Sequence, residues 1–220
     1  MDFDFNPMVN KFVEREVKPK QIGRYYPSEV GNCLRKVWYS YKYPQKIDND
    51  LLKIFEVGDM LHGFVVEVLK SEKNKEVELL KTELPFEIEL KDFIISGRVD
   101  DLIVIKESGK EVLIEVKSTK SIESIREVQE HHRMQLMFYM VGTGIHNGIV
   151  LYVDKNNLKS KVFEVPFDEI EAAEIIKRFE HLHKCLIANQ LPEPEAKEVQ
   201  SMKWMCNLCE YAKKCGGEEK

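Results

Sequence analysis

Three side chains between Gly97 and Lys117 could do chemistry together: Asp100, Glu115 and Lys117. The stretch reads as two arms rich in Val, Ile and Leu, one carrying Gly97-Arg98-Val99-Asp100 and the other Glu111-Val112-Leu113-Ile114-Glu115-Val116-Lys117, separated by polar Glu107-Ser108-Gly109-Lys110. A short, Gly-containing break between two such runs predicts a β-hairpin. Side chains alternate along a strand, so Glu115 and Lys117 share a face while Ile114 and Val116 turn to the opposite layer. If the arms pair with Asp100 near the Glu115 end, two carboxylates and one ammonium converge on a rigid element. Carboxylate oxygens suit Mg or Mn, and an ammonium offsets charge developing on a phosphoryl group, so phosphodiester hydrolysis is the chemistry within reach. On the hairpin alone, a solvated surface ribbon is the commoner outcome for Glu-x-Lys, and residues elsewhere must decide.

Thiols form a second set. Cys206, Cys209 and Cys215 make a C-x2-C-x5-C cluster that supplies only three ligands to a centre needing four. Cys33 and Cys185 are the candidates for the fourth. Cys185 lies in helical His183-Lys184-Cys185-Leu186-Ile187, where a packed thiol is the ordinary reading. Cys33 precedes Arg35-Lys36, whose charge could offset a thiolate cluster. Spacing does not separate tetrahedral zinc from a 4Fe-4S cluster; structural zinc is commoner, and unligated thiols are the third alternative.

Several elements must position these groups. A helix is expected near Val9 to Val17, ended by Pro19, and another from Pro27-Ser28, with Ser28 as cap and Val30, Cys33, Leu34, Val37 and Trp38 on board. Asp50 to Lys70 has the longest helical pattern of the first half, its apolar face made by Leu51, Leu52, Phe55, Leu61, Val65 and Leu69, with Gly58 and His62 one turn apart. Residues 82 to 105 and 111 to 117 read as a meander of three or four strands. From Ile122 to Val141 the pattern is helical again, and His131, Gln135 and Tyr139 recur on one face; His131 and His132 are expected to face solvent. Strands at Gly148 to Asp154 and Lys161 to Pro166, then a helix from Asp168 to Asn189, complete the list. Asp101 beside Asp100 should point to the other side of its strand. Arg24, Tyr25, Tyr26, Arg35, Lys36, Trp38 and Tyr41 offer the charge and rings that single-stranded DNA needs, although such rings beside a core are more often packed.

At 220 residues with 43% hydrophobic content the chain can bury a sizeable core, and its formal net charge of -5 gives no global electrostatic argument for nucleic acid. Any DNA contact must be a local basic groove. No stretch approaches the length of a membrane span, and Met1-Asp2-Phe3-Asp4-Phe5 is acidic where a secretory signal is basic, so a cytoplasmic protein with no membrane partner is expected. Five cysteines in that setting argue for metal or cluster ligation rather than a disulfide framework.

Taken together, His62, Gly97-Arg98-Val99-Asp100, Glu115-Val116-Lys117 and Gln135 to Tyr139 stand in the order and spacing of the PD-(D/E)XK nuclease superfamily, RecB-like branch, which the sequence resembles. One cysteine before this core and three after it resemble the arrangement of the CRISPR-associated exonuclease family, the fourth Cas family. The resemblance implies an α/β fold: a restriction-endonuclease-like mixed central sheet flanked by helices, with a C-terminal iron-sulfur subdomain. It implies a single domain over residues 1–220, the nuclease core at about 50–166 and the iron-sulfur part built from Cys33 and 200–220. Asp100, Glu115, the Val116 carbonyl and His62 would bind Mg or Mn, Lys117 would orient water or stabilise the pentacovalent phosphate, and Gln135 and Tyr139 would support them. Cys33, Cys206, Cys209 and Cys215 would hold a 4Fe-4S cluster in place of zinc. The implied activity is metal-dependent exonucleolytic cleavage of single-stranded DNA ends, processing spacer precursors in CRISPR adaptation with the integrase proteins of the first and second Cas families. A stand-alone or virus-encoded repair nuclease, or a non-catalytic DNA-binding scaffold of the same fold, are the alternatives.

Overall fold

The computed structural model describes residues 3–216. Its strands are β1 (Arg24–Tyr25), β2 (Val77–Glu89), β3 (Ile94–Ile105), β4 (Lys110–Thr119), β5 (Asn147–Asp154) and β6 (Ser160–Pro166). They form one mixed sheet in the order β1-β3-β4-β5-β6, with β2 along the other edge of β3. The hairpin turns at Gly109, whose φ of +68° suits glycine. β3 and β4 then pair only from Ile105 and Lys110 back to Asp101 and Ile114. Beyond that rung the strands part. β3 stays with β2 and takes β1 as a parallel neighbour at Ile94 and Ile95, while β4 runs on parallel to β5 as far as Thr119. The fork leaves Asp100 and Glu115 at its crotch.

Helices cover both faces. α4 (Glu130–Thr143) crosses from β4 to β5, as a parallel pair requires. It packs with α2 (Leu34–Lys42) and α5 (Glu169–Ile187) over the main core, where Leu113, Leu136, Met137, Phe138, Met140, Phe179 and Leu182 are fully buried. Gly148 on β5 lets α4 come close: a Cβ there would lie 2.4 Å from the Met140 methyl. On the opposite face, Leu61, Val65 and Leu69 of α3 (Asn49–Lys70) meet Val116, Leu151 and Val153. Capping agrees with sequence: Asp48 accepts the Asp50 amide at 2.8 Å, and Asp168 accepts those of Ile170 and Glu171 at 2.8 and 3.0 Å.

The mixed sheet flanked by helices matches the expected class. Several boundaries differ. α1 spans Asn6–Val13, with Pro7, whose fixed φ favours a first turn, near its start, and ends before Glu14. Ser28 starts no helix: Pro27–Glu29 is one 3-10 turn, because Glu29 folds back to accept the Tyr26 amide, and α2 begins only after Cys33. The strand after α3 begins at Val77. α4 begins at Glu130, since Asp154 captures the Ile122 amide at 3.0 Å and holds that segment as a separate turn. Of the apolar face expected on α3, Leu52, Leu61 and Val65 are buried, but Leu51 and Phe55 are exposed, because α3 meets the sheet through its Leu61 to Leu69 turns.

Residues 30–43 close on the C-terminal segment 178–211. Glu195, in the short helix α6 (Glu195–Glu198), accepts the Leu34 amide at the start of α2 and pairs with Arg178 of α5. Arg178 also donates to the carbonyls of Val30 and Asn32, and Tyr211 stacks on Tyr39 at 5.4 Å while its hydroxyl donates to the Tyr43 carbonyl. A last helix, α7 (Ala212–Gly216), follows.

Candidate active site

The fork in the sheet assembles the site. An Asp100 carboxylate oxygen accepts the Val116 amide at 2.8 Å, so this side chain fills the gap where the ladder stops and replaces a backbone rung. Glu115, 1% exposed, shares its face with Lys117, and the two form an ion pair. Lys117 Nζ also donates to Gln135 Oε1 at 3.2 Å, and Gln135 Nε2 donates to the Tyr139 hydroxyl at 2.6 Å. The i,i+4 spacing on α4 thus delivers a relay of three groups ending on the lysine. From the opposite face, α3 brings His62, whose Nε2 lies 3.2 Å from Asp101 Oδ2.

Asp101 does lie across the strand from Asp100, yet it is no bystander. It is wholly buried and supports His62. One residue escaped the sequence reading: Glu83. β2 pairs Thr82 with Asp101 and Leu84 with Val99, leaving Glu83 opposite Asp100 with φ +51°, an uncommon left-handed conformation for a side-chain-bearing residue. Atoms of His62, Glu83 and Asp100 come within 4.8 Å of one another, the only such group of three potential metal ligands among the described residues. The signal that could have flagged it is Pro85, which interrupts donation in what otherwise reads as a regular strand.

Charge is concentrated here under burial. Desolvation, reinforced by the Glu115 charge, lifts Asp100 from 3.8 to about 7. The hydrogen bond to Asp101, with the charges of Asp100, Asp101 and Glu83, lifts His62 from 6.5 to about 9 against the opposing effect of burial. Burial disfavours the Lys117 ammonium, but Glu115 outweighs it and holds the pKa above the ordinary lysine value. Burial, then Glu115 and Asp100, push Tyr139 up strongly, so its hydroxyl stays protonated and can donate. One oxygen each of Glu115 and Asp101 is buried without a partner. Uncompensated carboxylate oxygens, an imidazole and crowded negative charge are a donor set that fits a hard divalent cation.

His131 and His132, expected in solvent, are half-buried; His132 meets the Tyr152 hydroxyl at 2.8 Å. Burial first and Lys117 second keep both imidazoles neutral in the physiological range.

Cys33, Cys206, Cys209 and Cys215 line one cavity of about 60 Å³ together with Arg35 and Lys36. Cys185 does not line it; it is buried in the main core, 3.7 Å from His181. No three of the cysteine sulfurs are within 4.8 Å of one another. The four thiols share a cavity but are not gathered as the ligand set of one centre.

A mixed sheet forked between two antiparallel strands, with carboxylates at the fork and a lysine two residues beyond the second of them, defines a nuclease-type α/β architecture. Residues 11–216 match the PD-(D/E)XK nuclease superfamily, and the chain belongs to that family. It is 28% identical over 151 residues to the CRISPR-associated exonuclease Cas4 of Saccharolobus solfataricus, an alignment covering 68% of this chain and 73% of that protein. Among solved structures, SSO0001 superposes with a TM-score of 0.62 at 23% identity, over 96% of this chain and 95% of the other. The alkaline exonuclease LHK-Exo of Laribacter hongkongensis superposes with a TM-score of 0.56 at 15% identity, over 76% and 90% of the two chains. That exonuclease has also been solved in complex with dAMP.

Proposed function

We propose that this chain is a divalent-metal-dependent exonuclease that hydrolyses phosphodiesters at single-stranded DNA ends, and that it trims spacer precursors for the integrase proteins of the first and second Cas families. We read residues 1–220 as one RecB-like nuclease domain. The observation that carries the reading is the buried junction at the fork, where Lys117 rests on Glu115 with an oxygen of Glu115 unpaired. The likeness to a Cas4 exonuclease supports the cellular role.

Asp100, Glu115, the Val116 carbonyl and His62 would hold Mg or Mn. When bound, the ion supplies a Lewis acid for the phosphoryl oxygens and lowers the pKa of water. The chain's own residues do the rest. Asp100, bonded to the Val116 amide, fixes the gap between the strands. Lys117, oriented by Gln135 and Tyr139, presents a fixed positive charge where the phosphate gains negative charge in the in-line transition state. Burial of Glu115 keeps competing water away from this ion pair.

Cys33, Cys206, Cys209 and Cys215 would hold a 4Fe-4S cluster that ties the chain ends together structurally. What supports this reading is that the four cysteines line one cavity with Arg35 and Lys36. The decisive experiment uses end-labelled single strands with Mg, Mn or chelator. Asp100→Ala, Glu115→Ala and Lys117→Ala should each abolish metal-dependent cleavage, by at least about a hundredfold, while circular dichroism stays native. Full activity in all three would remove this site from the reaction.

A further inference from the structure

One group singled out by sequence lies outside the fork: the aromatic and basic residues near Cys33. Most are structural, since Tyr25 is 0% exposed, Trp38 4% and Tyr41 6%; Tyr26 alone among these rings stands out, at 39%. It is held in place. Glu29 is buried and accepts the Tyr26 amide at 3.1 Å, the Tyr41 hydroxyl at 2.9 Å and Lys20 Nζ at 2.6 Å. On the next residue, Pro27 abuts β3 so closely that a Cβ on Gly97 would come within 2.9 Å of its ring. At the end of the same segment, Gly31 lies against α4, where a Cβ would sit 2.1 Å from that of His131. The turn is therefore clamped between sheet and helix, with Tyr26 and Ser28 left facing outward.

A cleft of about 760 Å³ opens beside it, lined by Arg24, Tyr26, Ser28, Gly97, Arg98 and Gln135 among others. Gln135 is the residue that holds Lys117, so the cleft abuts the candidate active site. Arg98 pairs with Glu83 at 3.1 Å and Arg24 with Glu87 at 3.2 Å, both exposed contacts that a phosphate can displace.

We propose that this turn is a nucleotide platform: Tyr26 stacks on an unpaired base of the strand whose phosphate lies at Lys117, and Arg24 and Arg98 take the neighbouring phosphates. The inference rests on the nuclease reading and deepens it, because a base within a duplex is already stacked and paired, whereas a single strand offers its faces freely. Stacking is sequence-tolerant, so the platform selects strandedness rather than sequence.

The test is fluorescence anisotropy of a fluorescein-labelled oligothymidylate with the full chain in chelator, alongside Mn-dependent cleavage by the wild type. Tyr26→Ala should weaken binding roughly tenfold or more, and Tyr26→Phe and Tyr26→Trp should retain it within about threefold. Arg98→Ala should weaken binding and lower its salt dependence by about one phosphate contact. If the wild type binds and cleaves while Tyr26→Ala binds equally well, or if Tyr26→Phe loses as much as Tyr26→Ala, the platform is wrong and the nuclease reading stands. A wild type that neither binds nor cleaves overturns both.

Discussion

Removing the charge of Asp100 should make the metal-free protein more stable above neutral pH. Its carboxyl is lifted from 3.8 to about 7, first by burial and then by Glu115. Between those values the folded chain keeps a proton that the unfolded chain has lost, so stability falls as pH rises through this window and levels off above it. Each pKa unit is worth about 1.4 kcal/mol, so ionising Asp100 in the metal-free fold costs on the order of 4 kcal/mol. Asp100→Asn removes that cost and keeps an oxygen to accept the Val116 amide. His62 continues the decline in both proteins, because its own proton is held to about 9 in the fold against 6.5 outside it. Urea unfolding in EDTA, followed by circular dichroism, should find Asp100→Asn about 2–4 kcal/mol more stable than wild type at pH 8 and equal to it near pH 4. Subtracting one protein from the other cancels the carboxylates remote from Asp100, while Glu115 and His62, whose charges act on it, stay in the difference. For a chain of this size the pH 8 difference is roughly 5–15 °C in Tm. Adding Mn should reverse the order, since binding to the folded state stabilises wild type and the variant lacks a ligand. A variant no more stable than wild type at pH 8 in EDTA would refute the claim that the fork stores uncompensated charge for a cation.

Two further outcomes test the surroundings of the site. Anaerobically purified Cys206→Ser should lose iron and its absorbance near about 400 nm, whereas Cys185→Ser should keep both; loss of iron from Cys185→Ser would put the fourth ligand on α5. Gly97→Ala should cost about 1–3 kcal/mol in urea unfolding, because its Cβ drives into the rigid Pro27 ring, and an unchanged midpoint would mean that the Tyr26 turn is not seated on β3.

Local periodicity made the fork's contents legible in the sequence. Alternation by two put Glu115 and Lys117 on one face, and spacing by four on α4 put Gln135 and Tyr139 on another, and the structure joins the two sets through the Gln135 to Lys117 hydrogen bond. What escaped depends on partners distant in sequence. Glu83 reads as an ordinary strand residue until β2 is laid against β3 and the unmatched position opposite Asp100 appears. Ser28 carries every mark of a helix cap, but Glu29 is taken by Lys20 and Tyr41 and turns the chain differently. Asp101 follows the alternation, yet only the placement of α3 reveals that it holds His62.

Gly97 unites the two kinds of information. It marks the approach to Asp100 in sequence, and nothing local says why a glycine is needed there, since its backbone is ordinary extended strand. The reason is the Pro27 ring lying where a side chain would go. The same residue that introduces the carboxylate strand therefore also seats the turn carrying Tyr26. Asp100 and the seat of the Tyr26 turn lie on one short segment of β3, so a shift of that segment would disturb both together.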